Sequence, residues 1–114
     1  MEDEPVIDPE VITSLRSIGL LGRLVAVYRR DASKLLEELQ AAAAAADAGR
    51  LARWAHDLKS ASANLGVRRV SRLAADLERA ARDGRVVGPR KRVESIAREL
   101  DLALDEIAQI ANGE

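Results

Sequence analysis

The side chain best suited to chemistry in this sequence is that of His56, the chain's single histidine. A helix advances about 100° per residue, so a helical wheel assigns each side chain to one face. The apolar residues around His56 form one stripe on that wheel, the side that packs against the protein. The stripe consists of Leu51, Trp54, Ala55, Leu58, Ala61, Ser62 and Leu65. His56 lies almost opposite, which predicts an exposed imidazole with Ala52, Lys59, Ser60 and Ala63 as neighbours.

Three kinds of chemistry are open to an exposed histidine. A metal site needs three or four ligands, and this chain has one histidine and no cysteine, which predicts no metal site. General base catalysis needs a pocket, and the middle of a helix on a slim bundle offers little concavity. A phosphoryl acceptor needs an accessible Nε2, a nearby cation such as Lys59, and room for a partner. The helical wheel alone does not distinguish a phosphoryl acceptor from an ordinary surface histidine.

A second residue, Glu78, is expected to lie level with His56. The two residues stand eleven positions before and after Val67, near which the chain is predicted to turn between two antiparallel helices. Glu78 would accept a hydrogen bond from the imidazole Nδ1–H, which fixes the tautomer and leaves Nε2 free as the nucleophile. The alternative is an ordinary surface ion pair between Glu78 and Arg82, four residues apart.

The composition favours a single all-helical domain. Alanine, leucine and arginine are frequent, phenylalanine is absent, and the 114 residues carry a formal charge of −1. Apolar periodicity, with Asp8 and Pro9 as a start signal and Gly66 as a stop signal, predicts a flexible lead over residues 1–7 and a domain over residues 8–112. The predicted helices span residues 9–17, 20–46, 50–65, 69–82 and 89–111. Four long amphipathic helices predict an antiparallel four-helix bundle with a short additional N-terminal helix.

Several classes of function are disfavoured by the same sequence. No apolar run reaches the roughly 18 residues of a membrane span, and the acidic start MEDEP is unlike a secretory signal. We therefore expect a soluble, cytoplasmic chain without membrane contact. The near-zero net charge disfavours nucleic-acid binding. The sequence contains no glycine-rich nucleotide loop, so we expect neither ATP binding nor autophosphorylation.

The run HDLKSASANLG closely resembles the signature of histidine-containing phosphotransfer (HPt) domains of bacterial two-component phosphorelays, which reads His-x-Leu-Lys-Gly-Ser/Ala-x-x-x-Leu-Gly. The matching positions are His56, Leu58, Lys59, Ala61, Leu65 and Gly66. The segments IDPEVI, YRRDASKLLEEL and LAADLERAARDG are also similar to the family, so the resemblance spans about residues 7–111. Ser60 replaces the family's usual glycine, a change expected to alter the fit of a partner.

The resemblance implies an all-α four-helix bundle that relays phosphoryl groups between proteins. His56 would be phosphorylated on Nε2, Lys59 would balance the phosphate charge, and Glu78 would stand where the family often has a Gln or similar group oriented at the imidazole. The phosphoryl group would pass to or from an aspartate of a response-regulator receiver domain, including that of a hybrid sensor kinase. The receiver would hold the Mg²⁺, and this chain, expected to be a monomer, would need no cofactor.

The predicted partner-docking surface surrounds His56 and comprises Ala52, Arg53, Ser60, Ala63 and Arg82. Basic residues near the motif would favour encounter with the acidic metal pocket of a receiver domain. They are Arg50, Arg53, Lys59, Arg68, Arg69 and Arg72. A solvated helix face is the alternative interpretation of these charges.

Two other hypotheses fit part of the sequence. The first is the dimerisation and phosphoacceptor domain of a sensor histidine kinase, whose box reads His-Asp/Glu-Leu-Lys/Arg-x-Pro. HDLKS matches its beginning, but Ala61 stands where that box has proline, and that domain is a two-helix hairpin. The second is an adaptor bundle that binds a partner without being phosphorylated. In that case His56→Gln would leave function intact.

Overall fold

The computed structural model describes residues 4–112, and the elements in this range are helices. They are α1 (Pro9–Ser17), α2 (Leu21–Ala44), α3 (Ala48–Leu65), α4 (Arg68–Arg82) and α5 (Pro89–Asn112). The predicted all-α class is confirmed, and the observed helix ends lie within about two residues of the predicted ones, as expected for periodicity arguments. None of the helices in the described range is long and apolar enough to cross a membrane.

Side-chain caps set the starts of two helices. The Asp8 carboxylate accepts a hydrogen bond from the Glu10 backbone N–H at 3.0 Å, and Pro9 occupies the first turn of α1. The Asp47 carboxylate accepts from the Arg50 backbone N–H at 3.1 Å. Capping satisfies backbone donors that the first turn of a helix leaves unpaired. The Asp47 cap explains why α3 begins two residues earlier than the periodicity predicts.

The four long helices pack in a ring. α3 contacts α2 and α4, and α5 contacts α2 and α4, while α1 lies against α2. Each long helix therefore buries one face against two neighbours, as in a four-helix bundle. The core is almost wholly aliphatic, and its largest fully buried side chains are Ile12, Leu39, Leu51, Leu58, Leu77, Ile96, Ile107, Val67, Val70, Val93 and Ser62.

The segment before α1 belongs to the packed structure. Val6 and Ile7 are buried, with 9% and 5% of their surface exposed. Ile7 forms an isolated antiparallel bridge with Val67, and the Arg68 backbone N–H donates to the Val6 carbonyl at 2.9 Å. The prediction of a flexible lead is therefore wrong for Val6 and Ile7, because their apolar side chains join the core and their backbone pairs with the turn between α3 and α4. Residues 1–3 lie outside the described range.

One buried polar contact joins α2 to the helix that carries His56. The Tyr28 and Ser62 hydroxyls lie 2.7 Å apart, and both residues are buried. Burial raises the pKa of the Tyr28 hydroxyl to about 12, although the hydrogen bond with Ser62 opposes that rise. Tyr28 therefore stays protonated throughout the neutral range.

We expect Tyr28→Phe to lower the free energy of unfolding by about 1–2 kcal/mol, because the Ser62 hydroxyl would lose its partner inside the core. Urea unfolding followed by circular dichroism measures this cost. The double variant Tyr28→Phe/Ser62→Ala should cost less than the sum of the single changes, since neither hydroxyl is then left unpaired. Strictly additive costs would show that the hydrogen bond contributes nothing.

Candidate functional site

His56 lies in the middle of α3 with half of its side chain (50%) exposed. The residues on the opposite stripe are buried or half-buried, as the helical wheel predicts. Those buried are Leu51, Ala55, Leu58, Ser62 and Leu65. The fold therefore fixes the α3 backbone through its apolar face and leaves the imidazole accessible to another molecule.

Glu78 of α4 lies beside the imidazole. Its Oε2 atom is 3.0 Å from Nδ1 of His56. An ionised carboxylate only accepts hydrogen bonds, so Nδ1 carries the proton in this contact. In the neutral ring, Nε2 is then the nitrogen with the free electron pair. The count from the α3–α4 turn thus places the two side chains correctly, although Glu78 is buried (7% exposed) rather than at the edge of its face.

Glu78 binds two cations as well as the imidazole. Lys59 Nζ lies 2.8 Å from Oε1. Arg82 donates from Nε and Nη2 to Oε2 at 2.9 and 2.7 Å. The two contacts that the sequence leaves as alternatives, Glu78 with His56 and Glu78 with Arg82, are therefore present together.

These partners keep the Glu78 carboxylate ionised. Its pKa is lowered from 4.5 to about 2, chiefly by the hydrogen bond from Lys59, against the opposing effect of burial and with further help from Arg82 and His56. The site therefore presents a fixed negative charge to the Nδ1 side of the imidazole across the physiological pH range.

This pKa predicts how the stability of the protein responds to acid. A carboxyl group with a lowered pKa in the folded state stabilises the fold above its unfolded pKa, here 4.5, and this contribution is lost as the pH falls toward about 2. We expect Glu78→Gln to remove that part of the acid dependence. Urea unfolding at about pH 7, pH 4.5 and pH 2.5 compares the two proteins. If the free energy of unfolding of Glu78→Gln fell with decreasing pH as steeply as that of the wild type, the prediction would be contradicted.

Lys59 is engaged within the chain. The resemblance assigns it to the phosphate, yet its ammonium group contacts Glu78 and one third (34%) of its side chain is exposed. A lysine ammonium has three N–H donors, so the ion pair with Glu78 leaves donors for a second anion.

A groove opens between α2 and α3 at His56, with a volume of about 620 Å³. It is lined by Asp31, Lys34, Leu35 and Glu38 of α2 and by Trp54, His56, Asp57, Ser60 and Ala61 of α3. The expectation of little concavity is therefore wrong. Ser60 and Ala61 carry small side chains, so they leave space between the two helices at this level.

The groove continues toward the start of α2. A second hollow of about 210 Å³ shares Asp31 and Ala61 with the first and is lined also by Leu24, Val27, Tyr28, Asn64 and Leu65. Leu24 and Val27 are 37% and 38% exposed, so apolar surface lies along this end. The α2 side of the site was not predictable from residue positions along the α3–α4 hairpin, because α2 lies outside that hairpin.

The predicted docking residues divide into exposed and buried ones. Arg53, Ser60, Ala63 and Arg82 are exposed, and the Arg53 guanidinium lies 4.8 Å from the centre of the Trp54 ring. Ala52 is buried, with 7% of its surface exposed, so its assignment to the docking surface is wrong. α3 packs against both α2 and α4, which makes its buried arc wider than a single apolar stripe.

The basic residues near the motif are partly neutralised within the chain. Arg68 and Arg72 both form ion pairs with Glu4, and Arg69 pairs with Glu99. Their charge is therefore less available to a partner than the sequence suggests. Between residues 4 and 112 there is no cluster of three His, Asp or Glu side chains that could hold a metal ion.

Comparison with known proteins identifies the class to which this fold and site correspond. The family model for the Hpt domain matches residues 23–110. Because this match covers more than half of the sequence, the chain belongs to the Hpt domain family. The crystal structure of histidine-containing phosphotransfer protein B (HptB) from Pseudomonas aeruginosa PAO1 is similar, with a TM-score of 0.88 and 26% sequence identity over 98% of this chain and 99% of that chain. A comparison with curated proteins gives no match.

Family membership settles the general function. The chain is a phosphorelay intermediate of two-component signalling. Hpt domains are phosphocarriers rather than enzymes in the usual sense, and they pair with the receiver domains of response regulators. The hypothesis of a kinase dimerisation domain is wrong, since four long helices form the ring where that domain has a two-helix hairpin.

Proposed function

We propose that His56 is the phosphoacceptor of this relay. Its Nε2 attacks the phosphorus of a receiver's aspartyl phosphate, a bond forms between nitrogen and phosphorus, and the aspartate carboxylate leaves. The reverse step passes the phosphoryl group to a second receiver. The observation that carries the proposal is the contact of Nδ1 with Glu78 at 3.0 Å on a half-exposed histidine, because it leaves Nε2 as the nucleophilic nitrogen.

One of the two cations that contact Glu78, Lys59, also acts on the phosphoryl group in this proposal. Phosphoryl transfer depends mainly on positioning and on stabilising the charge of the phosphoryl oxygens. Lys59 is held next to the imidazole by its ion pair with Glu78 at 2.8 Å. It keeps unused N–H donors, so it binds a phosphoryl oxygen on Nε2 by a small rotation of its side chain. Arg82 remains on Glu78 through two hydrogen bonds and keeps that carboxylate in place.

The groove between α2 and α3 is the docking surface for the receiver domain. It borders His56 directly and combines charged side chains with exposed apolar ones along one continuous depression. Such a mixture is typical of transient interfaces, which are about as apolar as the rest of a protein surface. Arg53, Ser60 and Ala63 extend this surface on α3.

We expect Ala61→Arg to slow transfer from a phosphorylated receiver at least about tenfold. A loss of about 1.4 kcal/mol of binding free energy between the two proteins corresponds to that factor. Ala61 is half-buried on the floor shared by the two hollows, so a long charged side chain there fills the groove. Uptake of phosphate from the small donor phosphoramidate should stay unchanged.

Ala108→Arg serves as the matched control. Ala108 is also a half-buried alanine, but it lies on α5, away from the groove. If both variants slow the transfer equally, the effect is one of stability, and the groove is not the docking surface.

In this role the chain takes no ATP-dependent step and needs no cofactor of its own. The Mg²⁺ that supports the transfer belongs to the receiver's aspartate site, and the chain acts as a monomer in the cytoplasm.

The test is a relay in three parts, with a ³²P-labelled receiver, this chain and a second, unlabelled receiver. Label should appear on this chain and then on the second receiver. If the experiment is repeated with several different labelled receivers and the label always stays on the receiver, the adaptor hypothesis would be favoured.

A further inference from the structure

We propose that the negative charge of Glu78 holds the proton on Nδ1 of His56 while Nε2 carries the phosphoryl group, so that the imidazole leaves as a neutral molecule when the phosphoryl group moves on. This inference rests on the proposed role of His56. It assigns to Glu78 a task that a neutral hydrogen-bond acceptor in the same place would perform less well.

The geometry provides a charged partner on the correct nitrogen. Glu78 Oε2 lies 3.0 Å from Nδ1, and the Glu78 side chain is only 10% exposed. Once Nε2 is phosphorylated, a ring that keeps its Nδ1 proton carries a positive charge. A nearby carboxylate stabilises that cation, and the scarcity of water around Glu78 strengthens the interaction.

The chemistry of the transfer explains why this proton matters. An aspartate oxygen of the receiver forms a bond to phosphorus, the bond between Nε2 and phosphorus breaks, and its electron pair stays on Nε2. With the proton retained on Nδ1, the group that leaves is neutral imidazole. Without that proton the leaving group is the imidazolate anion, a far stronger base and a far poorer leaving group. The step needs no further reactant.

Other charged groups line the groove at His56 or contact Glu78, and their positions distinguish them from Glu78. From α2, α3 and α4 they are Asp31, Lys34, Glu38, Asp57, Lys59, Glu78 and Arg82. Three of the carboxylates, on Asp31, Glu38 and Asp57, belong to exposed residues that line the groove, where water and salt screen their charge. Lys59 and Arg82 oppose a cation on the ring, but both are paired with Glu78 and thereby keep it ionised. Glu78 combines burial with direct contact at Nδ1.

The test uses the fact that the chain has a single histidine. Protein labelled with ¹⁵N-histidine gives the signals of one imidazole, and phosphoramidate phosphorylates it without a receiver. A pH titration of the phosphorylated protein by ¹H–¹⁵N correlation gives the midpoint at which Nδ1 loses its proton. We expect this midpoint to be at least about one pH unit higher in the wild type than in Glu78→Gln, a typical effect of a neighbouring opposite charge. Gln keeps an acceptor at the same place and removes the charge. It also leaves Lys59 and Arg82 without their ion pairs to residue 78, which lowers the midpoint in the same direction.

Glu38→Gln is the matched control in the titration. It removes a carboxylate that lines the same groove, and its midpoint should stay with the wild type. A second readout is the rate of transfer to a receiver as a function of pH. At pH values above both midpoints, the wild type should transfer its phosphoryl group faster than Glu78→Gln. The rate ratio should be about ten for each pH unit that separates the two midpoints, because the fraction with a protonated Nδ1 differs by that factor.

The outcomes separate this inference from the proposed function. Equal midpoints in the wild type and Glu78→Gln would overturn the role of the Glu78 charge and leave His56 as the acceptor. An equal downward shift in Glu38→Gln would also overturn it, since any nearby charge would then act in the same way. If His56 takes up no phosphoryl group from phosphoramidate, the proposed function fails, and this inference fails with it.

Discussion

Replacement of His56 by glutamine is expected to abolish phosphoryl uptake and to leave the fold intact. The change removes the proposed nucleophile, Nε2, and no other imidazole exists in the chain to replace it. Half of the side chain is exposed, and Glu78 keeps its ion pairs with Lys59 and Arg82. The free energy of unfolding should therefore change by less than about 1 kcal/mol, as is usual for surface positions.

Uptake from phosphoramidate, followed by ³¹P NMR, and urea unfolding measure the two halves of this prediction. Arg98→Gln, an exposed change on α5, should behave like the wild type in both measurements. Phosphate uptake that persists in His56→Gln would identify a different acceptor. A loss of helical signal in that variant would show that the imidazole has a packing role instead.

The second large effect is expected at Gly66, between α3 and α4. Gly66 has a φ of +78°, and a Cβ added there would lie 3.0 Å from Val11 Cβ and 3.3 Å from Asp8 Cβ. Gly66→Ala should therefore combine the strain of a left-handed backbone with a steric clash against α1. We expect the free energy of unfolding to fall by about 2–5 kcal/mol, the sum of a left-handed penalty and an overpacking penalty.

Gly84 provides the control for this prediction. It has nearly the same backbone conformation, with a φ of +73°, but an added Cβ meets nothing within 4 Å. Gly84→Ala should therefore cost only about 1–2 kcal/mol, the left-handed backbone penalty alone. Urea unfolding of both variants isolates the steric part. Equal costs would show that the contact of Gly66 with α1 is unimportant.

The glycine at the end of the motif is thus structural. Its carbonyl accepts a hydrogen bond from the Asp8 backbone N–H at 2.7 Å, which fixes the start of α1 against the α3–α4 turn. The same short backbone pairing holds Ile7 on Val67. The motif of this chain therefore combines a reactive position, His56, with a residue that closes the hairpin presenting it.

Local patterns in the sequence were sufficient to predict the helices and the exposure of His56. Both follow from the 3.6-residue period of apolar side chains, which tertiary packing reinforces. The contact between His56 and Glu78 was also predictable, because residues equidistant from a short turn lie level in an antiparallel pair. The resemblance to the HPt family added the chemistry of the site, because periodicity alone does not distinguish a phosphoacceptor from an ordinary surface histidine.

Features that depend on several helices at once were not predictable in this way. Ala52 is buried because α3 has two neighbours, and the groove exists because of how α2 lies beside α3. Val6 and Ile7 form too short an apolar segment to show a period. The ion pair of Lys59 with Glu78 depends on side-chain rotamers, which the sequence pattern does not determine.

The phosphoryl group of the modified protein can be located on a single atom by NMR. Protein labelled with ¹⁵N-histidine is phosphorylated by a receiver domain, and the coupling between ³¹P and ¹⁵N identifies the nitrogen that is bonded to phosphorus. We predict one phosphorus signal, coupled directly to Nε2 of His56. Coupling to Nδ1, or a phosphorus signal with no nitrogen coupling, would contradict the assignment of the site.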